Sequence, residues 1–559
     1  MSYLNTFKIN SIKKLKRFSI IREAVRAYRN SYKPEWKKIS GGIESRIQSN
    51  KKYSDKKILI VTGGGGYAAA KQIESLLAVA LKLRGASVDV VLCDGILPAC
   101  FQTTIDWDSN DLRFAKKGTS KINCRTCFSY AKKTYDLVGV NIIKLSTLLN
   151  NEETETITKE SSSINIEDIE SYISDGIHIG EHAYSGCLRF YATSKLVDPH
   201  AKKVLRRYFR AALYAKTAAF NLFSENDYSH VLLHHGIYVP QGIFVDSAKH
   251  FNFDVTTWHT AYREKTFIFS YGDTYHKTLM NESVSSWDGF EFTDKKLSMI
   301  TDYLQSRWAG NNDWISFSKQ FSEPESDSIY ARSEKYDASI LMLTNVMWDA
   351  QLHYPANAFP TMLDWIITTI EFFISKPNLE LIIRVHPAET TGTLPSRQLV
   401  EEEIGKKFTN LPKNIKIYGP QHPANTYKLA GMCNTALIFG TKTGVELTAM
   451  GIPTIVAGEA WIRGKGLTHD AESPESYLSE LKKLPYKDRL PDNIQKKALK
   501  YAYHFFFRRM IPISIVKKAS GHEVFRYSFD SLSDLEPGAD DGLDVICEGI
   551  LNKKPYVYN

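Results

Sequence analysis

The chain has 559 residues, of which 43% are hydrophobic and 24% are charged, a composition typical of globular proteins with more than one domain. No run of about 18 apolar residues occurs, and the first residues lack the apolar core of a signal peptide, so we predict a cytoplasmic protein. The net charge of +9 is concentrated in residues 1–57, which hold 16 Lys/Arg and 4 Asp/Glu, so the rest of the chain is slightly acidic. An acidic body without a recognition motif makes nucleic-acid binding unexpected.

The basic leader, residues 1–57, is predicted to contain an amphipathic helix. Its apolar residues recur at helical spacing between lysines and arginines: Leu15, Phe18, Ile21, Val25 and Tyr28. Such a helix suits an anionic membrane surface, which here is the inner face of the cytoplasmic membrane. The alternative is a helix that packs on the protein body with a solvated basic face.

A first βαβ unit follows the leader. The apolar strand 57–62 runs into four consecutive glycines, then a helix over 68–83 and a second strand over 88–94. Because glycine lets a ligand approach the backbone closely, we predict ligand contacts at Gly64 and Gly65. The spacing is not G-x-G-x-x-G, so it gives little support for NAD. Asp94, at the end of the second strand, is a candidate general base that could remove a proton from the hydroxyl group of a substrate that accepts a transferred group.

Four of the seven cysteines cluster in sequence: Cys93, Cys100, Cys124 and Cys127. The last two form C-x-x-C, which commonly supplies half of a tetrahedral zinc site. The alternatives are a buried thiol at a strand end and a surface pair, or a redox pair. Disulfides are disfavoured in the predicted compartment. We therefore predict a structural zinc as the one metal and no cofactor for catalysis.

The middle of the chain, residues 128–225, is predicted to be mainly helical. A buried strand over 230–233 then ends in two histidines, and another strand covers 254–258. Polar residues at the carboxyl ends of parallel strands are where open α/β sheets bind ligands. His235 is accordingly a second candidate base for the acceptor.

A second series of alternating strands and helices begins near residue 337. The predicted strands are 339–344, 379–385, 415–418, 436–439 and 454–457. The fold class is therefore α/β, with two Rossmann-like doubly wound domains facing a cleft. The predicted boundaries are 58–330 for the acceptor domain, 335–490 for the nucleotide-sugar donor domain and 491–559 for a helical and polar tail.

His386 ends a buried strand and precedes a proline that fixes the turn. An imidazole there can donate to a phosphate oxygen of a leaving nucleotide, so His386 is the main catalytic candidate. The alternative is a histidine that caps the next helix. Arg384 and Glu389 lie close by in sequence and are predicted contacts of the nucleotide sugar.

Between the last two strands, residues 440–446 form a small polar turn that opens a helix. Its backbone N–H groups and the hydroxyls of Thr441 and Thr443 are predicted to bind a phosphate. Glu446 can accept hydrogen bonds from ribose hydroxyls, or it can simply stabilise the helix N-terminus. Lys465, in a glycine-rich loop, is a further phosphate candidate or an ordinary surface lysine.

These motifs resemble a known family. The Arg-Val-His-Pro-Ala-Glu segment (384–389), the Gly-Thr-Lys-Thr-Gly-Val-Glu-Leu turn (440–447) and the Gly-Lys-Gly-Leu-Thr-His-Asp run (464–470) are similar to those of bacterial capsule polysaccharide biosynthesis proteins, including Kdo-transferase-like members. The resemblance implies a GT-B glycosyltransferase, and the His-Pro pair is similar to one used by sialyltransferases against a CMP-sugar. It carries five positions over as contacts of the sugar donor: His386, Thr441, Thr443, Gly444 and Glu446.

The predicted function is transfer of a sugar from a nucleotide-sugar, CMP- or UDP-linked, to a capsule-type polysaccharide or a lipid-linked glycan. A membrane-facing leader favours a transferase, because an epimerase works on a soluble substrate. Two alternatives stay open: a nucleotide-sugar 2-epimerase of the same fold, and an inactive scaffold of glycan assembly. The second arises because no sialyltransferase-type base motif is recognisable in the N-terminal half.

Overall fold

The computed structural model describes residues 52–106, 108–308, 334–352, 354–519 and 525–559, with the single residues 36, 46, 50, 313 and 330. The predicted membrane helix of the leader lies outside these residues. None of the helices within them is long and apolar enough to cross a membrane.

The first domain is built on a seven-stranded sheet in the order β13-β6-β5-β4-β1-β2-β3. The strands are β1 (Lys57–Gly63), β2 (Ser87–Leu92), β3 (Asn141–Lys144), β4 (His230–His234), β5 (Asp254–Thr260), β6 (Thr266–Tyr271) and β13 (Ile511–Pro512). The five strands β1 to β5 are parallel, whereas β6 and β13 are antiparallel to their neighbours. Ile58 and Ile60 pack into the core on one face of the sheet and Leu59 and Val61 into the core on the other, which explains why β1 is a continuous apolar run.

Helices cover both faces of this sheet, except that the last two of the ten named next pack in the core of the second domain. In chain order they are α1 (Ala68–Leu83), α2 (Asp111–Lys117), α3 (Lys121–Leu137), α4 (Asn151–Ser163), α5 (Ile179–Tyr191), α6 (Ala201–Glu225), α7 (Gln241–His250), α8 (Tyr275–Met280), α9 (Ser285–Asp288) and α10 (Asp294–Trp308). The predicted helical middle is confirmed, except that β3 interrupts it. The apolar residues of α6 lie along one buried stripe, which packs against α5 and α7.

The second domain has a six-stranded, all-parallel sheet in the order β12-β11-β10-β7-β8-β9. Its strands are β7 (Ala338–Leu343), β8 (Leu379–Arg384), β9 (Ile415–Tyr418), β10 (Thr435–Ile438), β11 (Thr454–Val456) and β12 (His469–Asp470). Its helices are α11 (Met362–Ile374), α12 (Ala388–Thr391), α13 (Val400–Lys407), α14 (Thr426–Met432), α15 (Thr443–Ala449) and α16 (Pro474–Leu481). One mostly parallel and one all-parallel sheet, each covered by helices, confirm the predicted fold class of two Rossmann-like domains.

The last segment is not a separate tail. Helix α17 (Asp492–Tyr503) buries Ala498, Tyr501 and Ala502 against α15 and α10. The chain then returns to the first domain, where β13 pairs with β6 and α18 (Asp541–Asn552) packs on α1. A short hairpin, β14 (Val516–Lys518) with β15 (Phe525–Tyr527), lies between them. The segment therefore packs first on the second domain, through α17, and then on the first domain, through β13 and α18.

The carboxyl ends of the two sheets meet. Tyr238, after β4, donates its hydroxyl hydrogen to Asp349, after β7, at 2.8 Å, and the N–H of Ala350 donates to the same hydroxyl at 2.9 Å. Arg397 of the second domain forms an ion pair with Asp198 of the first at 2.7 Å. The strand ends of both domains therefore border one cleft, as predicted.

Candidate functional site

Three neighbouring strands of the second sheet, β8, β7 and β10, end side by side. The N–H of His386, after β8, donates to the hydroxyl of Thr344, after β7, at 3.2 Å. The amide of Asn345 donates to the carbonyl of Gly440, after β10, at 3.0 Å. These contacts tie the predicted histidine and the predicted polar turn to the same edge of the sheet.

His386 is held as a neutral ring with a defined tautomer. Its Nδ1 accepts a hydrogen bond from the N–H of Ala388 at 3.0 Å. Burial, with Lys442 and Arg384 nearby, lowers the pKa of His386 to about 4, so the ring is uncharged at neutral pH. Since Nδ1 accepts, the ring proton resides on Nε2, which makes this atom a hydrogen-bond donor.

Arg384 does not have the predicted role of a ligand contact. Its guanidinium is buried and donates to the backbone carbonyls of Val385 at 3.3 Å, His422 at 3.2 Å and Gly419. Two of these carbonyls, those of Gly419 and His422, belong to the loop after β9, and the third follows β8 directly. Arg384 therefore organises the loop next to His386.

Glu389 also turns away from the predicted ligand. Its Oε1 accepts a hydrogen bond from the N–H of Val400 at 2.9 Å, at the first residue of α13, and the side chain is buried. Burial raises the pKa of Glu389 to about 7. A buried acid that accepts from the start of a helix acts on the fold and not on a nucleotide sugar.

The turn after β10 presents two hydroxyls. Thr441 and Thr443 lie with their Oγ1 atoms 3.3 Å apart, and the N–H of Thr443 donates back to Thr441 at 3.4 Å. Helix α15 spans only seven residues, so its dipole adds little to a phosphate site. Gly444 serves packing: a Cβ there would lie 2.5 Å from Ile438 and 2.9 Å from Ile462. The resemblance carried Gly444 over as a ligand contact, and the structure places it beneath the turn instead.

Glu446 is fully buried and already has partners for both carboxylate oxygens. Oε1 accepts from Arg307 at 3.1 Å and from Lys442 at 3.0 Å, and Oε2 accepts from the hydroxyl of Tyr427. Burial alone raises its pKa, but Arg307 and Lys442 outweigh this and lower it, so the group is ionised. The predicted ribose contact would require breaking this network. Glu446 instead positions Lys442. The positive charge of Lys442 contributes to the lowered pKa of the neighbouring His386.

Lys465 is not a mobile phosphate ligand. It is 1% exposed, and its ammonium donates to the carbonyls of Met280 at 2.8 Å and Glu282 at 2.6 Å. Burial lowers the pKa of Lys465 to about 8. The lysine therefore joins the second domain to the loop after α8 of the first domain.

In the first domain, the glycine-rich loop packs tightly. A Cβ on Gly65 would lie 2.3 Å from Ala131 and 2.8 Å from the carbonyl of Cys127, and one on Gly64 would lie 3.3 Å from Gln102. The space before this loop measures about 40 Å³, enough for a water molecule but not for a sugar. The glycines thus bring α3 close to the loop, and the predicted ligand contacts at Gly64 and Gly65 have no room here.

The four clustered cysteines line this same small cavity. The N–H of Gly66 donates to the sulfur of Cys127 at 2.9 Å. Burial raises the pKa of Cys93 to about 12, with the neighbouring Cys100 adding to it, so the thiol is protonated. Within the described ranges no group of three or more His, Cys, Asp or Glu side chains is arranged to hold a metal ion. The structural zinc stays a prediction that the geometry does not favour.

Asp94 joins two strand ends of the sheet and does not have the geometry of the predicted base. Its carboxylate accepts from the hydroxyl of Ser146 at 2.5 Å and from the N–H of Ser146 at 3.2 Å. These bonds join the exits of β2 and β3. Because β1 lies between β2 and β4, Asp94 and His235 follow strands that are not neighbours in the sheet.

His235 lies in the cleft but does not have the geometry of the predicted base. Its Nδ1 accepts from the N–H of Ile237 at 2.9 Å, so the proton of the neutral ring resides on Nε2. Burial, with His259 and Arg189 nearby, holds the pKa of His235 well below its ordinary value. Nε2 is therefore a hydrogen-bond donor, and this buried atom has no partner among the described residues.

Several residues next to the cleft belong to no sequence motif from which their position could be predicted. Tyr262 of the first domain lies under the ammonium of Lys442, 4.6 Å from the ring centre. Arg307 and Tyr427, which hold Glu446, are 120 residues apart in the chain. No motif connects them, because only the packing of α10 on the second domain brings them together.

Glu74 lies in α1, beneath the ends of β4 and β5, and gives a pH-dependent prediction. It is fully buried and accepts from the indole N–H of Trp258 at 3.1 Å; burial raises its pKa from 4.5 to about 7. The folded state therefore retains a proton that the unfolded state releases, and Glu74 lowers stability as pH rises from 4.5 to about 7.

Between pH 5 and pH 7.5, we expect the free energy of unfolding of Glu74→Gln to rise by about 1–3 kcal/mol relative to that of the wild type. The variant therefore gains relative stability at the higher pH. Urea unfolding at both pH values measures it. The difference isolates Glu74 from buried histidines such as His230, whose lowered pKa gives the opposite slope. Parallel stability curves of the two proteins would contradict the prediction.

The chain is similar to two solved structures from Thermosulfurimonas dismutans, both of which are described as KpsC. The beta Kdo 2,4 transferase is 13% identical, with 49% of this chain and 79% of that chain covered and a TM-score of 0.29; the beta Kdo 2,7 transferase is 13% identical, with 51% and 79% covered and a TM-score of 0.32. The UDP-GlcNAc 2-epimerase of Methanocaldococcus jannaschii, solved with UDP-GlcNAc and UDP, is 10% identical over 80% of this chain and 99% of that chain, with a TM-score of 0.26.

At such identities and TM-scores, these likenesses decide neither the reaction nor the substrate. No curated protein matches the chain. The comparison with protein families is more specific, because it covers the segment that carries His386 and the turn after β10. Residues 316–503 match the family described as capsule polysaccharide biosynthesis protein, which confirms the resemblance predicted from the sequence over this third of the chain.

Proposed function

We propose that the protein is a GT-B glycosyltransferase that moves a sugar from a CMP- or UDP-linked donor to a capsule-type polysaccharide or a lipid-linked glycan. The observation that carries the proposal is the arrangement of His386. It presents a neutral ring with its proton on Nε2, at the carboxyl edge where β7, β8 and β10 end. Open parallel sheets bind ligands at this edge.

The chemistry that this edge supplies fits a leaving nucleotide. As the glycosidic bond breaks, negative charge develops on the phosphate oxygen that departs. The Nε2–H of His386 donates to that oxygen, the hydroxyls of Thr441 and Thr443 donate to the remaining oxygens, and Lys442 adds positive charge from the same turn. Glu446, which is itself paired with Arg307, holds Lys442 in place behind the site.

The acceptor belongs on the opposite wall of the cleft, where β4 of the first domain ends. His235 faces this region, and Tyr238 reaches across to Asp349. A transferase needs two substrates on two sides of one cleft, and the meeting of the two strand ends supports this arrangement.

The test is a panel of CMP-, UDP- and GDP-sugars. A bound donor at 100 times its dissociation constant adds about 2.7 kcal/mol to the stability, which a thermal-shift assay detects. The sugar nucleotide that stabilises the protein is then incubated with glycan acceptors, and nucleotide release is measured. Sugar interconversion without an acceptor would instead indicate the 2-epimerase, and binding without any turnover would indicate a scaffold. Absence of stabilisation by every nucleotide sugar would overturn the proposal.

The proposal includes attachment of the leader to the inner face of the cytoplasmic membrane. Reversing the charge at Lys13, Lys14, Lys16 and Arg17 is expected to release the protein from anionic liposomes and to leave binding of the soluble sugar donor unchanged, because the charges act only on the membrane surface. Co-sedimentation at low salt measures the release, with neutral liposomes as the control. Equal co-sedimentation of wild type and variant would remove the membrane from the proposal.

A further inference from the structure

A pair of adjacent imidazoles marks the end of β4. The rings of His234 and His235 lie with their centres 4.4 Å apart, and the two residues are 3% and 5% exposed. Phe101 and Tyr67 border the pair, with Phe101 at 5.5 Å from His235 and Tyr67 at 4.9 Å from His234, measured between ring centres. The surroundings of these imidazoles are therefore mostly aromatic.

Three of the four ring nitrogens have no hydrogen-bond partner. They are Nδ1 and Nε2 of His234 and Nε2 of His235, and all three are buried. A buried polar atom without a partner costs about 1–3 kcal/mol, and most proteins satisfy such atoms. These nitrogens lie just behind the carboxyl end of β4, which borders the cleft, and their capacity for hydrogen bonds is not used by the described part of the protein.

Arg189 adds a positive charge beside them. It extends from α5, donates to the carbonyl of Phe101, and lies 5.3 Å from the ring centre of Tyr238. No ion pair joins it to a carboxylate among the residues that the structure describes. Its charge nevertheless reaches the pair, because Arg189 is among the groups that hold the pKa of His234 and of His235 below the ordinary value, after burial.

Two acids close to the pair, Asp349 and Glu74, form no ion pair with Arg189 among the described residues. Asp349, across the cleft, already accepts from the hydroxyl of Tyr238 at 2.8 Å. Glu74, below the strand ends, has a pKa of about 7 and binds Trp258. An unpaired guanidinium beside open imidazole nitrogens is the donor set that recognises an oxyanion.

The backbone of His235 is consistent with a ligand site. Its φ is +41°, in the left-handed region that non-glycine residues rarely occupy, and Gly236 follows at +72°. Such strain is concentrated at functional sites, where it aims a side chain. Here it turns His235 towards Phe101 and Tyr238, the residues on which Ala350 and Leu352 of the second domain pack.

We propose that Arg189, His234 and His235 bind an oxyanion, a carboxylate or a phosphate, carried by the sugar acceptor. The inference rests on the proposed transferase and gives its acceptor a chemical class. Arg189 pairs with the oxyanion, and the two imidazoles bind its remaining oxygen or a neighbouring hydroxyl. The acceptor residue is thus an acidic or phosphorylated sugar, placed opposite the nucleotide site.

The test uses the full-length protein with three probes: glucuronate, glucose 6-phosphate and glucose. Saturation-transfer NMR titrations measure binding of each. Glucuronate or glucose 6-phosphate is expected to bind saturably, and the better of the two identifies the oxyanion; glucose is expected to bind much more weakly. Arg189→Gln is expected to weaken the better probe by roughly 10- to 100-fold, the effect of losing a charge-assisted hydrogen bond.

Arg206→Gln is the matched control, because Arg206 is also a half-buried arginine on a helix that donates to backbone carbonyls, those of Ser161 and Ile164. His234→Gln, which leaves Arg189 in place, guards against misfolding of the arginine variant and is expected to weaken the same probe. Equal binding of all three probes, or wild-type binding by both site variants, would overturn the inference. Nucleotide binding is measured in parallel: if it persists while no oxyanion binds, this inference fails and the proposed function stands.

Discussion

Replacing His386 by alanine is expected to lower kcat for sugar transfer by about 100- to 1000-fold, the usual effect of removing one donor to developing charge. The affinity for the nucleotide sugar is expected to change much less, because Nε2–H strengthens its bond only as the phosphate departs. Steady-state kinetics with the sugar nucleotide found in the panel measure both. Since the pKa of His386 is about 4, its contribution stays constant between about pH 6 and pH 8.

The chain provides a matched control for this variant. His422 occurs in the same His-Pro-Ala sequence as His386, and its Nδ1 accepts from the N–H of Ala424 at 3.1 Å, as His386 does from Ala388 at 3.0 Å. His422 follows β9, at the edge of the sheet, and stacks on Tyr418 with ring centres 4.2 Å apart. His422→Ala is expected to keep most of the activity. If His386→Ala transfers sugar at the wild-type rate, the nucleotide lies elsewhere and the proposed mechanism is wrong.

The second large effect is on stability. Glu446→Ala is expected to lower the free energy of unfolding by about 3 kcal/mol, because it removes the carboxylate shared by half-buried Lys442 and buried Arg307, although Arg307 retains its ion pair with Asp313. The sequence alone predicts a different result, a raised KM from a lost ribose contact. Urea unfolding separates the two: a variant of wild-type stability with a raised KM would support the ribose contact.

Two further variants sharpen this test. Glu446→Gln keeps the shape and one acceptor oxygen, so its loss is expected to be smaller than that of alanine. Glu167→Ala breaks the ion pair between Glu167 and Lys202, whose side chains are 70% and 71% exposed, and no measurable loss is expected. If Glu167→Ala also lowered the free energy of unfolding by several kcal/mol, the result for Glu446→Ala would reflect a general effect of removing acidic residues.

The sequence by itself determined the architecture of this protein. Short apolar runs such as 58–61 and 339–343 are buried on both faces of a sheet, and that environment admits few polar residues, so the pattern is legible without a structure. The same holds for the position of His386, because a polar residue directly after such a run must lie at the carboxyl edge. The strands β3 and β6 escaped prediction. β3 has only four residues, and β6 lies in an aromatic stretch without alternation.

Only the tertiary structure decided what most of the candidate side chains do. Arg384, Glu389, Glu446 and Lys465 all come from promising motifs, yet each is buried and bound to a backbone group or a counter-charge of another loop or helix. Arg384 Nε and Glu389 Oε2 have no hydrogen-bond partner in the described part of the chain. Proximity in sequence fixes which loop a residue occupies, but its direction depends on partners that other elements supply. Arg189 could not be predicted from the sequence for the same reason. It lies near the end of β4 only because α5 packs beside that strand end. Burial and pairing are properties of the folded chain, and they separate the residues that shape the cleft from those that face it.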